Sequence, residues 1–310
     1  MKNNRFSSFL LLVTLGAPLL AQQPVNGDWK AVDAALGRAG QMQPGDVYKF
    51  SMPRKDLTVI KDGVTVAPGL ALGSCAAFKK IGNETMLMGD IVLTEDEIEP
   101  VMLKLQQEGI EQTSIHNHLL GETPHIVYMH IAGHGNAVKL ATTLSAALSL
   151  TKTPLPGPTT SAAPQAIDLD TKAIEQAIGF AGIANGGILQ FSIPRAEKIL
   201  DSGMEVPPAM GTATAINFQP TGDSKAAISG DFVMLASEVN PVLRALRAHR
   251  IEVEAMHNHM LFDQPHLYFM HFWANTDAVI LAHGLRSALD ATNSQKPQIK
   301  VVTAGKRRRS

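Results

Sequence analysis

His116-Asn117-His118-Leu119-Leu120, followed by Pro124-His125 and Met129-His130, returns later in the chain as His257-Asn258-His259-Met260-Leu261, Pro265-His266 and Met270-His271. The whole block 89–131 lies over 230–272 at a constant shift of 141 residues, without a gap. Gly89-Asp90 answers Gly230-Asp231, and Pro100-Val101 answers Pro241-Val242. Further upstream, Ser51-Met52-Pro53-Arg54 answers Ser192-Ile193-Pro194-Arg195. A repeat of this length means two copies of one folding unit, so the fold can be read once and doubled.

Each copy carries the same order of signals. Residues 29–39 and 170–181 place apolar and small side chains at helical spacing and are followed by glycine, as helix ends favour. Residues 47–52, then 57–60 and 64–66 around Asp62-Gly63, suit strands, the last two joined by a tight turn. Further strands are expected over 74–80 and 84–93. Thr94-Glu95-Asp96-Glu97 then opens a helix with a capping-box pattern, whose Ile98, Val101, Met102 and Leu105 share one face. Residues 111–119 and 125–131 form a hairpin carrying the histidines, and a last helix covers 135–148, matched by 276–289. The expected fold class is α+β: two tandem pseudo-symmetric domains, each a mainly antiparallel sheet with helices packed on one side. The first repeat is expected over 29–150 and the second over 166–290. A Pro/Thr/Ser-rich linker should fill 151–165, and a basic tail 291–310.

Residues 1–21 combine Lys2 and Arg5 with an apolar run over 9–20 and a small residue at Ala21, the pattern of a cleaved signal peptide. That run is too short to cross roughly 30 Å of hydrocarbon comfortably, so the mature protein is expected to be periplasmic or secreted, with no transmembrane span. Cys75 is the single cysteine, which excludes an intrachain disulfide and a cysteine-based metal cluster; it suits a buried small apolar position. The formal charge of -1, with basic residues clustered only at the end of the tail, gives no nucleic acid partner.

Of eleven histidines, eight fall in four matched pairs on the two hairpins. Alternation along a strand points His116 and His118 the same way, and a turn near Gly121 brings His130 beside them. Neutral imidazoles are common metal ligands, and Glu122, matched by Asp263, could complete a set in each repeat. The expected sites are therefore His116, His118, Glu122 and His130 in one copy, and His257, His259, Asp263 and His271 in the other. The expected ion is zinc or copper. The string from His116 to Glu122 also has the local spacing of cupin metal ligands, but no second cupin motif follows, and a helix precedes the histidine strand where a jelly roll has a strand. Packed histidines without any small partner are the competing reading, and spacing alone does not separate the two.

His125 and His266, of opposite parity, are assigned to orienting backbone or a neighbouring ligand. Asn117 and Asn258 are read as structural. Arg54 and Arg195 could clamp a ligand's carboxylate or phosphate; pairing with an internal aspartate, Asp90 and Asp231 respectively, is the simpler expectation. No Gly-x-Ser-x-Gly elbow, phosphate-binding glycine loop or His-Glu-x-x-His helix occurs. Ser114 becomes Ala255, which argues against a shared serine nucleophile.

The paired His-Asn-His and Pro-His-x-x-x-Met-His segments, in two tandem copies behind a signal-like start, resemble the DUF1259 family, including its LppY/LpqO-like exported proteins. The resemblance implies an exported, duplicated domain and supplies no catalytic residue; the lipid-bearing cysteine of the lipoprotein members is absent. Three functions follow as alternatives: a binder of a transition metal or small molecule, a metal-dependent hydrolase or oxidoreductase, and a cell-envelope interaction module with structural histidines.

Overall fold

In the computed structural model, residues 29–155 and 166–299 are described. The segment 1–21 read as a signal peptide, linker residues 156–165 and tail residues 300–310 lie outside them. The first repeat runs α1 (Trp29–Leu36), β1 (Gln41–Gln43), β2 (Val47–Pro53), β3 (Val59–Lys61), β4 (Val64–Val66), α2 (Pro68–Ala71), β5 (Gly73–Ile81), β6 (Glu84–Thr94), α3 (Glu95–Gln107), β7 (Glu111–His116), β8 (Ile126–Gly135) and α4 (Ala137–Leu148). The second runs α5 (Thr171–Ile178), β9 (Ile183–Asn185), β10 (Ile188–Pro194), β11 (Leu200–Asp201), β12 (Met204–Glu205), a 3-10 turn (Pro208–Met210), β13 (Ala213–Gly222), β14 (Lys225–Leu235), α6 (Ala236–Ala248), β15 (Glu252–His257), β16 (Asp263–Gln264), β17 (Leu267–Asp277) and α7 (Ala278–Leu289). Each repeat builds a six-stranded antiparallel sheet, ordered β1-β2-β5-β6-β8-β7 in one and β9-β10-β13-β14-β17-β15 in the other.

The helices of each repeat cover one face of its sheet. Val32, Val101, Leu105 and Leu144 pack on Phe50, Phe78, Leu87 and Met129 in the first. Ile174, Val242, Leu246 and Leu285 pack on Phe191, Phe218, Phe232 and Met270 in the second. The opposite faces are turned toward each other. Val92, Tyr128 and Ile126 share a cluster with Ile188, Ala227 and Trp273, and Val47, Ala77 and Met88 share another with Val233, Leu267 and Phe269. The result is a layered body with helices outside and two sheets within. Because the central strands β6 and β14 are covered on both faces, they read as near-continuous apolar runs and show little alternation.

Local chemistry explains the turns and helix starts. Asp62 and Gly63 both take positive φ (49° and 77°), as a tight two-residue hairpin requires, and the β3–β4 hairpin they close stands apart from the main sheet. The Thr94 amide donates to Glu97 Oε2, starting α3 as the capping pattern expects. Asn136 and Asp277 cap α4 and α7 through backbone amides of the first turn. Gly89 sits where β6 crosses β5: a Cβ there would come within 2.8 Å of the Cys75 carbonyl oxygen and 3.0 Å of Ile131. Backbone cannot yield as a flexible side chain can, so Gly89→Ala is expected to cost about 1–3 kcal/mol, read as a lower urea midpoint at unchanged slope; an unaltered midpoint would refute the close-approach account.

The ends of the repeats are tied into the fold. Lys152 N donates to Glu97, and Thr153 is buried. At the matching place in the second repeat, Asn293 N donates to Glu238. Residues expected to open the linker and the tail therefore belong to the packed body. Between the repeats, Thr113 Oγ1 donates to the His259 carbonyl, Asn258 donates to the Thr113 carbonyl, and Trp273 Nε1 donates to Asp62. Glu254 accepts from the Leu120 amide and lies 3.5 Å from Lys61, which also donates to the Leu120 carbonyl.

Candidate metal centre between the repeats

Strand parity puts His130 on the inward face of β8 and His271 on the inward face of β17, since their neighbours Met129 and Met270 belong to the helix-side cores. His116 and His257 end the edge strands β7 and β15, opposite Tyr128 and Phe269. His118 and His259 lie just past those strands, in the loop; their rings still come back to the inward side, stacking on Tyr128 and Phe269.

Two separate sites, one per repeat, were the expectation; the six rings instead converge on one cluster at the repeat interface. His116 faces His257 with ring centroids 3.6 Å apart, His118 faces His271 at 3.7 Å, and His130 faces His259 at 3.9 Å. Within a repeat the separations are longer: 5.1 Å for His116–His118 and 5.0 Å for His116–His130. Each of these distances has a near-equal counterpart under exchange of the repeats, such as 5.0 Å for His257–His259 and 4.8 Å for His257–His271. The cluster thus has an internal pseudo-two-fold axis through the His116–His257 pair.

Two carboxylates complete it. Asp90 lies opposite His130 in the β6–β8 register, and Asp231 opposite His271 in β14–β17. Asp90 Oδ2 is 3.6 Å from His118 Nε2 and Oδ1 is 3.9 Å from His130 Nε2; Asp231 Oδ2 is 3.1 Å from His259 Nε2. Three groups have ligand atoms all within 4.8 Å of one another: His116, His118 and His271; His116, His130 and His257; Asp231, His257 and His259.

The outer nitrogens are held by backbone. His271 Nδ1 contacts the Gly230 carbonyl at 2.8 Å, His259 Nδ1 the Gly211 carbonyl at 3.1 Å and His116 Nδ1 the Asn117 carbonyl at 3.0 Å. His130 makes the matching contact to Gly89. A carbonyl accepts only from N–H, so these contacts fix the tautomer and turn the Nε2 lone pairs of these four rings inward. Nε2 of His116, His118, His130 and His271, Nδ1 of His257, and Oδ1 of Asp90 and of Asp231 are buried without a hydrogen-bond partner.

Burial and the neighbouring His271 push the His116 pKa down to about 3. Burial is likewise the leading cause that lowers His118, His130, His257 and His271. For these five rings burial thus favours the neutral form, which keeps a lone pair for a ligand. The carboxylates divide: burial and the facing Asp231 hold Asp90 well above the usual range. Burial acts on Asp231 in the same sense but is outweighed by His271 and His259, which hold it low.

Other sequence-derived candidates lie elsewhere. Glu122 accepts from His125 Nδ1 (3.0 Å) and the Ile126 amide, and Asp263 from His266 Nδ1 (2.7 Å) and the Leu267 amide. Both carboxylates brace the return loop and stand outside the three groups, which corrects their assignment as ligands: Asp263 spends one oxygen on His266 and the other on the Leu267 amide, while Glu122 makes both contacts through Oε1 and keeps Oε2 buried without a hydrogen-bond partner. Arg54 and Arg195 were expected to pair with Asp90 and Asp231, and they do not. Arg54 binds Asp56 and Glu97, and Arg195 binds Glu197 and Glu238, at the far ends of the strands. Cys75 is half-buried opposite Asp90 in β5, and burial raises its thiol pKa. Asp90, Asp231 and the aromatic seats Tyr128 and Phe269 were missed as site residues. A signal existed: the Gly-Asp pair recurs in both copies, and Tyr128 and Phe269 stand two residues before His130 and His271, hence on the same face.

Among the described residues, no helix is long and apolar enough to cross a membrane. No curated protein matches the chain. Among solved structures, EtuB from Clostridium kluyveri aligns at 7% identity and a TM-score of 0.20, over 85% of this chain and 97% of that one. The trimeric bacterial microcompartment shell protein PduB aligns at 11% identity and 0.18, over 81% and 88%. Superpositions this loose carry no argument about fold or function. The family model described as Domain of Unknown Function (DUF1259) matches residues 30–150 and again 172–291. Three of the six converging histidines fall in each matched stretch, so the chain belongs to the DUF1259 family and its candidate centre is assembled by both of its family domains.

Proposed function

We propose that this chain is an exported binding protein that holds a transition metal, zinc or copper, in the histidine cluster between its repeats. Export rests on the charged, apolar and small-residue order of residues 1–21. The metal reading rests on one observation above all: five buried ring nitrogens and two buried carboxylate oxygens, drawn from both repeats, face one another without partners. A buried polar atom left unsatisfied costs about 1–3 kcal/mol, and native proteins carry few of them. Metal binding accounts for lone pairs left in this way, because a cation accepts them where no hydrogen-bond donor does. Imidazole suits zinc and copper, and the site offers no thiolate.

The test uses protein purified without a histidine tag. Metal content after gel filtration should show bound zinc or copper, and His116→Ala with His257→Ala should weaken retention at least ~10-fold, since the pair lies at the centre of the cluster. A ligand that binds only the folded state raises the melting temperature, so added metal should raise it and chelator should lower it. Wild-type protein that retains no metal and melts unchanged with either would overturn the reading, as would retention indifferent to the double substitution.

A further inference from the structure

The cluster has more donors than one ion can use. A tetrahedral ion takes four ligands, and transition metals seldom more than six; six imidazoles and two carboxylates converge here. Two of the three close groups, His116-His118-His271 and Asp231-His257-His259, have no member in common. The pseudo-two-fold axis relates one end of the cluster to the other: His118 with His271 at one end answers His259 with His130 at the other, at 3.7 and 3.9 Å. The carboxylates lie across both ends. Asp90 faces His118 of the first end and His130 of the second, and Asp231 faces His259 of the second and His271 of the first. Each keeps one buried oxygen without a partner.

We infer that the centre is dinuclear, with one divalent transition ion held by His116, His118 and His271, a second by His257, His259 and His130, and Asp90 and Asp231 as carboxylates shared between them. This rests on the metal-binding reading above and goes beyond it in number, grouping and bridging. Each ion takes ligands from both repeats, so neither repeat owns a site. Shared carboxylates supply negative charge where two cations approach, which six neutral imidazoles cannot, and two-metal sites of this kind bring their ions to roughly 3.5–4 Å.

Titration of metal-free, tag-free protein with zinc, counted by elemental analysis, should give two ions per chain. Loading with copper(II) should give the half-field electron paramagnetic resonance signal of a coupled pair. His118→Ala with His271→Ala, which removes one end, should leave one ion and an uncoupled signal. His118→Ala with His130→Ala, which takes one ligand from each end, should weaken both ions together. Circular dichroism confirms that each variant is folded, and the wild-type count and spectrum decide even where a variant is not. One ion per chain overturns the dinuclear inference while leaving the metal-binding reading intact. Two uncoupled ions overturn the shared arrangement, and no ion overturns both.

Discussion

Metal-free protein is expected to lose most of its stability as the pH falls from about 7.5 to about 5.5. The folded state holds five histidines at depressed pKa, His116 at about 3, with burial as the leading cause in each. Unfolded, each returns to about 6.5. Above that value both states are neutral at these sites and the full stability is present. Below it the unfolded chain takes up protons that the folded cluster cannot accept, and stability drops. The loss approaches about 1.4 kcal/mol per group for each pH unit below the unfolded value. Five groups together reach about 7 kcal/mol per unit, against a total of about 5–15 kcal/mol for an ordinary domain. Asp90 works in the opposite direction, since its raised pKa lets the folded state hold a proton more readily as pH falls, but it is one group against five. Calorimetric melts across this range should show a steep fall below about pH 6.5. A flat midpoint across it would show that the rings take up protons without cost and would refute the close-packed neutral cluster.

Arg54→Ala is expected to destabilise the protein by about 3–5 kcal/mol, the range for stranding one partner of a buried ion pair. The Arg54 side chain is fully buried. Its guanidinium donates to Glu97 at 2.6 and 3.1 Å, to Asp56 at 2.8 Å and to the Val92 carbonyl at 2.8 Å. Glu97 in turn accepts from the Thr94 amide at the start of α3 and from Lys152 N beyond α4. Removing the cation leaves Glu97 buried and unpaired and loosens two chain ends at once. Burial tends to raise Glu97, but Arg54 and the two amides outweigh it and hold the carboxyl below its usual range. Urea unfolding of Arg54→Ala, Glu97→Gln and the double variant measures the coupling as a cycle. Additive single effects would mean that the pair contributes no more than its separate packing.

The duplication was legible because it is a property of residue order, and the element types followed because turns and caps announce themselves locally. Asp62-Gly63 reads as a hairpin turn and Thr94-x-x-Glu97 as a helix start wherever they occur. The partners of Arg54 were not legible: Asp90 stood in a strand after a glycine and looked suitable, but strand parity turns it inward while Arg54 reaches along the strand end to Glu97. The centre was half legible. Spacing identified the six histidines, since His116 and His130 meet across one hairpin register. It could not show that His118 faces His271, because that contact is made by the packing of one sheet on another, a long-range event with no local mark. Glu122 was misread for the same reason: a carboxylate four residues after His118 looks like a ligand in the string and serves as a loop brace in space.

The pseudo-two-fold axis through His116 and His257 means that neither repeat, folded alone, can present more than half of the converging rings. A single-repeat protein could assemble the same pocket only by pairing with a copy of itself, at a rate set by its concentration. Carrying both halves in one chain makes that encounter first order, so the pocket persists at any dilution, and the two halves become free to diverge, as Thr113 and Glu254 already have on either side of the axis.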